Sequence, residues 1–141
     1  MRLRRSVQKP VSPLEWRHAF KRATDHYHSA TDAIRQKDHR GVTTFSFHAA
    51  VSLAETLLAR IAGIAASGDS PGELAYLLLR HTSQPEKWFY TETLLKILDY
   101  RHQIQTEQRP MTEEEVQDCF QKTGLFLQWV KSQLPEMHIQ I

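Results

Sequence analysis

A polar stretch from Asp99 to Arg109 holds the residues with the clearest chemical potential in the sequence. Arg101 follows Leu98 by three positions, which places its guanidinium on or beside the buried side of a helix. A guanidinium there needs a partner, such as the carboxylate of Asp99 or Glu107, a helix C-terminus, or a bound anion. The stretch therefore predicts either an internal ion pair or helix cap, or a contact with a phosphate or another anion.

The eight histidines do not form a metal-binding pattern. Metal ligands on one helix recur three or four positions apart, and no two of these histidines have that spacing. Neither a phosphate-binding glycine loop nor a dinucleotide-binding glycine pattern occurs in the chain. We therefore expect no metal ion and no cofactor.

Cys119 is the only cysteine, and it lies on the apolar side of a predicted helix. This position favours a buried structural thiol, with a cysteine–histidine nucleophile as the alternative. A single cysteine forms no internal disulfide, so we expect a reducing, cytoplasmic setting.

The charge is concentrated at the start of the chain. Of the 141 residues, 18 are basic and 16 acidic, giving a net charge of +2. The first nine residues include four of the basic ones: Arg2, Arg4, Arg5 and Lys9. The remaining 14 basic and 16 acidic residues give a body of charge near −2. The basic segment is interpreted either as a solvated terminus or as a phosphate-binding arm.

The length fits one domain, and no apolar stretch approaches the roughly 18 residues of a membrane span. We expect a flexible basic arm at residues 1–11, one domain at 12–134, a short tail at 135–141 and no membrane association.

Hydrophobic periodicity and capping signals predict five helices and no strand. Capping boxes begin at Ser12, Ser70 and Thr112, each with a glutamate three positions later, and Gly41 marks the first break. The expected helices are 12–37, 42–65, 70–82, 86–105 and 112–134. The predicted class is all-α, an up-and-down bundle of four long helices and one short helix.

Three patterns indicate how these helices pack. The second helix is apolar over much of its circumference, which is typical of a central helix. The fourth helix is expected to bury Trp88, Leu94, Leu95 and Leu98. Leu125 and Trp129 lie beside the main apolar stripe of the last helix, where a second copy of the chain would cover them. This predicts a homodimer through helix one, two or five, with Leu125 and Trp129 as interface residues. The alternative is one broad intramolecular face.

Three segments resemble the HEPN superfamily (higher eukaryotes and prokaryotes nucleotide-binding domains). The stretch Ser46 to Ala54 contains the sequence His-Ala-Ala found in part of that superfamily. Leu94 to Arg109 is similar to its fourth helix, and Thr112 to Leu134 to its last helix, with Phe-Leu-x-Trp-Val at 126–130. The resemblance covers residues 14–134. It implies a helical bundle, usually a homodimer, and many such proteins are metal-independent ribonucleases of toxin–antitoxin, CRISPR or anti-phage systems.

The resemblance also implies a catalytic pattern, an arginine followed four to six residues later by a histidine. Arg101 occupies the arginine position, but positions 106–108 hold Thr, Glu and Gln. His102 is the nearest histidine, and on a helix it points about 100° away from Arg101.

Three functions follow from this departure. A non-catalytic homodimeric module that binds a macromolecular partner, protein or RNA, is the first. A diverged ribonuclease that uses Arg101 with His102, Glu107 or Arg109 is the second. Nucleic-acid binding through Arg2, Arg4, Arg5 and Lys9 is the third.

Overall fold

The protein is described here by a computed structural model that covers residues 8–12, 14–66, 71–107 and 109–134. Five α-helices make up most of this part of the chain: α1 (Glu15–Arg35), α2 (His39–Leu57), α3 (Pro71–His81), α4 (Lys87–Glu107) and α5 (Glu113–Ser132). A π-helical turn, Leu58–Ala62, continues α2, and two short strands, β1 (Gln8–Pro10) and β2 (Ile64–Ala66), pair with each other. The predicted all-α class is confirmed.

Helix α2 is the centre of the fold. It packs against α1, α3, α4 and α5. Small residues on several of its sides, such as Ala49, Ala50 and Ala54, are fully buried and let these neighbours approach closely. The prediction of a central second helix is therefore confirmed.

The capping signals were predictive at α5 and wrong at α1. Thr112 accepts a hydrogen bond from the Glu115 amide at 3.1 Å, and the Glu115 carboxylate accepts one from the Thr112 amide at 3.0 Å. Helix α1 instead begins at Glu15, three residues later than predicted. Its N-cap residue, Leu14, makes no side-chain hydrogen bond to the helix. The Ser12 hydroxyl accepts a hydrogen bond from the Leu14 amide at 3.2 Å. It therefore stabilises the segment before the helix and does not cap the first turn.

Gly41 lies inside the first turn of α2 and is not the predicted break. Asp38 is the N-cap, and its carboxylate accepts a hydrogen bond from the Gly41 amide at 3.0 Å. A Cβ atom at position 41 would collide with that carboxylate. The glycine is therefore required by the cap, and the helix starts three residues earlier than the apolar pattern indicates.

The end of α2 also differs from the prediction of a helix to residue 65 and of no strand. Gly63 has a left-handed backbone (φ 65°) that ends the π-helical turn. Strand β2 then pairs antiparallel with β1, with Gln8 opposite Ala66. Each strand has three residues, too few for an alternating pattern to be recognised. Residues 8–11, predicted in a flexible arm, are thus bonded to the domain, and the Val11 amide donates to the Gly63 carbonyl at 2.9 Å.

The predicted burial of Trp88 and Leu95 on α4 is wrong. Trp88 and Leu95 are 66 % and 40 % exposed, because α4 packs through Leu94, Ile97 and Leu98 and turns the opposite side to solvent.

Trp129 is only 4 % exposed, and its ring stacks on that of Tyr90 with centroids 4.9 Å apart. It needs no second copy to cover it. Leu125 is 46 % exposed, so the predicted interface pair is divided between core and surface.

One segment of the described chain, His39–Ala62, is long and apolar enough to cross a membrane by length and composition alone. In this fold 67 % of its most apolar 18-residue window is buried among the other helices.

Candidate functional site

Arg101 lies at the seam between α4 and α2. Its Cζ atom is 4.8 Å from the centroid of the Phe47 ring, within the distance of a cation–π contact. The preceding residue helps to hold α4 in this rotation, since the Tyr100 hydroxyl donates to an Asp118 carboxylate oxygen on α5 at 2.5 Å. Arg101 therefore reaches α2 from a tightly held helix.

Two histidines continue this contact across α2 to α1. The His48 ring lies edge-on to Phe47, with centroids 5.3 Å apart. The His26 ring of α1 lies 5.3 Å from His48 at an angle of 35°. Successive positions on α2 face different neighbours, so Phe47 meets α4 while His48 meets α1. We call these four residues, Arg101, Phe47, His48 and His26, the cationic cluster.

The cluster has an unsatisfied donor. The Nη1 atom of Arg101 is buried and makes no hydrogen bond to any residue that the structure describes. No ion pair to Arg101 occurs within the same residues. A buried N–H group of a charged side chain without an acceptor is costly. Because Arg101 as a whole is only half-buried, its guanidinium is a candidate donor to an acceptor from outside the chain.

Electrostatics set the protonation of His48. Burial lowers its pKa, and the charges of His26 and Arg101 lower it further. The lowered pKa favours the uncharged imidazole of His48, in which one nitrogen donates a hydrogen bond and the other accepts one. The nearest acidic side chain along α2 is Glu55, two turns further on, which pairs with Arg22 at 3.8 Å.

This arrangement suits an oxyanion. A guanidinium donates two hydrogen bonds to a phosphate or carboxylate, and the adjoining imidazoles add a donor and an acceptor. Phosphate esters of sugars combine the negative oxygens that Arg101 requires with sugar hydroxyl groups that a neutral histidine can hydrogen-bond.

Of the predicted site residues, only Arg101 is in the cluster. His102 is exposed and lines a shallow pocket with Lys96 and Asp99 on another side of α4, as its helical position predicts. Neither Asp99 nor Glu107 pairs with Arg101. Asp99 accepts from the Gln103 amide at 3.1 Å, and Glu107 accepts from Arg109 at 2.9 Å.

Arg109 is also engaged elsewhere. Its guanidinium makes two parallel hydrogen bonds to Glu115, at 3.0 and 2.8 Å, at the start of α5. These contacts lower the pKa of the Glu115 carboxyl to about 2. Glu107 and Arg109 thus form a separate network with Glu115, and the predicted grouping of both with Arg101 is not found.

Sequence reasoning missed His48 and His26 as functional candidates. Spacing identifies histidine pairs only when both lie on one helix, whereas these two residues are 22 positions apart and on different helices. Their meeting depends on the rotation of α1 against α2, which no local pattern specifies.

The remaining candidates are the cysteine, the basic residues near the start of the chain and possible metal ligands. Cys119 is fully buried, and burial raises the pKa of its thiol to about 12, which confirms a structural thiol and disfavours a nucleophile. Lys9 is exposed on β1, while Arg2, Arg4 and Arg5 lie outside the described residues. Within the described ranges no three His, Cys, Asp or Glu side chains group as metal ligands do.

Comparisons of the chain with protein-family models, with curated proteins and with solved structures found no match. The HEPN-like resemblance therefore stays a prediction.

Proposed function

We propose that this protein is a cytoplasmic, HEPN-like homodimeric module that binds RNA, with the cationic cluster as a phosphate-binding site. One observation carries the proposal: a guanidinium, that of Arg101, with a buried nitrogen and no hydrogen bond or carboxylate bonded to it among the described residues, in a ring contact with Phe47 that continues to His48 and His26. Every RNA nucleotide supplies the phosphate oxygens that this donor needs, and arginine recognises them with directed hydrogen bonds.

The geometry of the two histidines favours binding over cleavage. In an in-line displacement at phosphorus, the general base and the general acid act on opposite oxygens, with the phosphate between them. The rings of His26 and His48 are in direct contact, with centroids 5.3 Å apart, which leaves no room for a phosphate between them. The non-catalytic function is therefore our first proposal.

A metal-independent ribonuclease is the second candidate, and the lowered pKa of His48 is what favours it. Neutral His48 would take the proton of a ribose 2′-hydroxyl while Arg101 stabilises the charge on phosphorus oxygens. The 2′ oxygen would bond to phosphorus as the bond to the 5′ oxygen breaks. Water would protonate the leaving 5′ oxygen, giving a 2′,3′-cyclic phosphate and a 5′-hydroxyl end.

The test of both candidates is one titration of fluorescently labelled RNA in EDTA, with anisotropy for binding and a denaturing gel for cleavage. Arg101→Ala should weaken binding about tenfold, since a hydrogen bond to a charged group contributes roughly 1.5–3 kcal/mol. It should also reduce the slope of log affinity against log salt concentration by about one, as the loss of one phosphate contact does. Arg17→Ala is the matched control, because Arg17 is also an arginine over an aromatic ring, 5.4 Å from that of Trp16.

The outcomes separate the candidates. Equal RNA affinity of folded Arg101→Ala and the parent protein would contradict a phosphate site at Arg101. Cyclic-phosphate products that disappear in His48→Ala would replace the first candidate by the second. If substituting Arg2, Arg4 and Arg5 by glutamine abolishes binding while Arg101→Ala does not, the basic segment is the binding element.

For the homodimer, the exposed side of α4 replaces the predicted pair Leu125 and Trp129 in our proposal. Trp88 and Leu95 are seven residues apart and share one side of that helix. Glu92 and Lys96 lie on the same side and have opposite charges. Two copies of α4 crossing antiparallel near position 94 would place each Glu92 beside the other Lys96, as a self-complementary interface requires.

A further inference from the structure

A cleft of about 770 Å³ lies between the start of α2 and the end of α4. His39 and Arg40 line it from the first turn of α2, and Ile104 and Gln105 from the last turns of α4. Ile104 follows Arg101 by three residues, which is about 4.5 Å along the helix axis. The cleft therefore continues the same seam between α2 and α4 in which Arg101 contacts Phe47.

The walls of the cleft differ from the cluster in chemistry. Ile104 and the segment Pro110–Met111 supply apolar surface, with Met111 buried and Ile104 half-buried. Gln105 is exposed, and its amide is free of hydrogen bonds to the rest of the described chain, so it offers one donor and one acceptor. Apolar walls with a few directed polar groups are typical of a pocket for a flat organic molecule.

Arg109 lines the cleft with a guanidinium that two carboxylates hold. Its guanidinium is held by both oxygens of Glu115 at 2.8 and 3.0 Å and by Glu107 at 2.9 Å. Because its charge is already matched by two carboxylates, it is poorly suited to hold a phosphate. A fixed guanidinium plane is, however, a surface on which an unstacked nucleobase packs.

We infer that this cleft receives an unpaired nucleobase, stacked on Arg109 and hydrogen-bonded by Gln105, while Arg101 holds the neighbouring phosphate. The inference rests on the proposed RNA binding and names its substrate class, a single-stranded segment. In a duplex the base edges are paired and the bases are stacked on each other, so none is free to enter the cleft. Arg40, exposed at the rim, lies about two turns of α2 from Phe47 and would contact a phosphate further along the strand.

The test compares labelled single-stranded oligoadenylate with the duplex of the same length, on the full chain in EDTA. We expect the single strand to bind at least about tenfold more tightly than the duplex. Arg109→Lys keeps the charge but removes the planar surface, and it should reduce single-strand affinity about tenfold with no effect on duplex affinity. Arg80→Lys on exposed α3 is the matched control.

A second variant tests the inference independently, in case Arg109→Lys does not fold. Gln105 has no side-chain hydrogen bond or ion pair to lose within the described chain, so Gln105→Ala should leave the unfolding transition unchanged and still weaken single-strand binding. Equal binding of single strand and duplex, with no effect of either variant, would overturn the inference while leaving the proposed function intact.

Free adenosine tests the cleft without the phosphate site. Its addition should shift the NMR signals of the Ile104 methyl groups and of the Gln105 side-chain amide, in the parent protein and in Arg101→Ala alike. Such shifts, with RNA affinity unaffected by Arg101→Ala, would support the cleft and reject the phosphate site. Absence of any shift at millimolar adenosine would overturn the inference.

Discussion

At the scale of single residues, Glu115 joins two structures at the start of α5. Its carboxylate closes the capping box with the Thr112 amide and accepts both parallel hydrogen bonds from Arg109. The hydrogen bonds from Arg109, followed by those from Thr112, lower the pKa of this carboxyl from 4.5 to about 2. A carboxyl whose pKa is lower in the folded state stabilises the fold only where it is ionised.

We predict that Glu115→Gln lowers the thermal unfolding temperature at neutral pH and that this difference disappears in acid. The folded pKa lies below the unfolded value, so the stabilisation is complete above about pH 4.5 and decreases as the pH falls towards 2. Unfolding followed by circular dichroism over this range measures it. Glu114→Gln is the control, because Glu114 is exposed on the same turn and has no ion pair in the described chain. An equal effect of both substitutions at every pH would contradict the prediction.

The sequence identifies a residue that needs a partner, such as Arg101, more readily than it identifies the partner. Arg101 is identified because its distance from Leu98 puts a charge beside the core, a property of one helix. The contacts with His48 and Phe47 depend on how α4 is rotated against α2. That rotation is fixed by packing among several helices, as the contact between Tyr100 and Asp118 illustrates.

At the scale of elements, α5 shows how one helix face is divided between core and solvent. Trp129 packs inside against Tyr90 and Phe126, whereas Leu125, four residues earlier, is 46 % exposed. The indole N–H of Trp129 is buried with no hydrogen-bond acceptor among the described residues. The ring therefore stabilises the fold through its apolar surface and stacking.

We predict that Trp129→Ala lowers the free energy of unfolding by about 3–5 kcal/mol, as removal of a buried aromatic ring does. Leu125→Ala should change it by less than about 0.5 kcal/mol. Trp129→Phe should be much milder than Trp129→Ala, because it keeps an aromatic ring and removes the unpaired N–H. Urea unfolding of the three variants measures this order, and a similar small effect of all three would show that Trp129 is not in the core.

Element boundaries were predictable where side chains mark them and unpredictable where the backbone alone does. The Thr112 capping box places the start of α5 correctly. The end of α2 was predicted too late because the apolar pattern continues through Leu58–Ala62 and Ile64–Ala66 while the backbone changes from α to π-helix and then to strand. Apolar residues suit all three conformations, and only the pairing with β1 distinguishes the last of them.

At the scale of the whole molecule, the described residues form two features: the cationic cluster at the seam between α2 and α4, and an apolar side of α4 with Trp88 and Leu95. The first is the proposed RNA site and the second is the proposed contact between two copies. Both involve α4, and in the proposed antiparallel dimer each copy would keep its own seam.

We predict a homodimer that Glu92→Lys weakens and that the exchange Glu92→Lys with Lys96→Glu restores. The single substitution would place two lysines together across the two-fold axis, and the exchange restores opposite charges with reversed signs. Light scattering after size exclusion measures the mass against the 16.4 kDa of one chain. Leu125→Glu is the control for an exposed leucine elsewhere. A single-chain mass for the parent protein at all concentrations would contradict the dimer.

The two short strands have a consequence for the order of folding. Gln8 and Ala66 pair although they are 58 positions apart in the chain. Closing so long a loop has an entropic cost that a few backbone hydrogen bonds do not offset alone. Antiparallel docking of α1 on α2 shortens the effective distance between Pro10 and Ile64, because the intervening residues are then a compact helical hairpin. The strand pair therefore forms after that hairpin, and its amide protons should be protected from solvent exchange only in molecules where α1 is already docked.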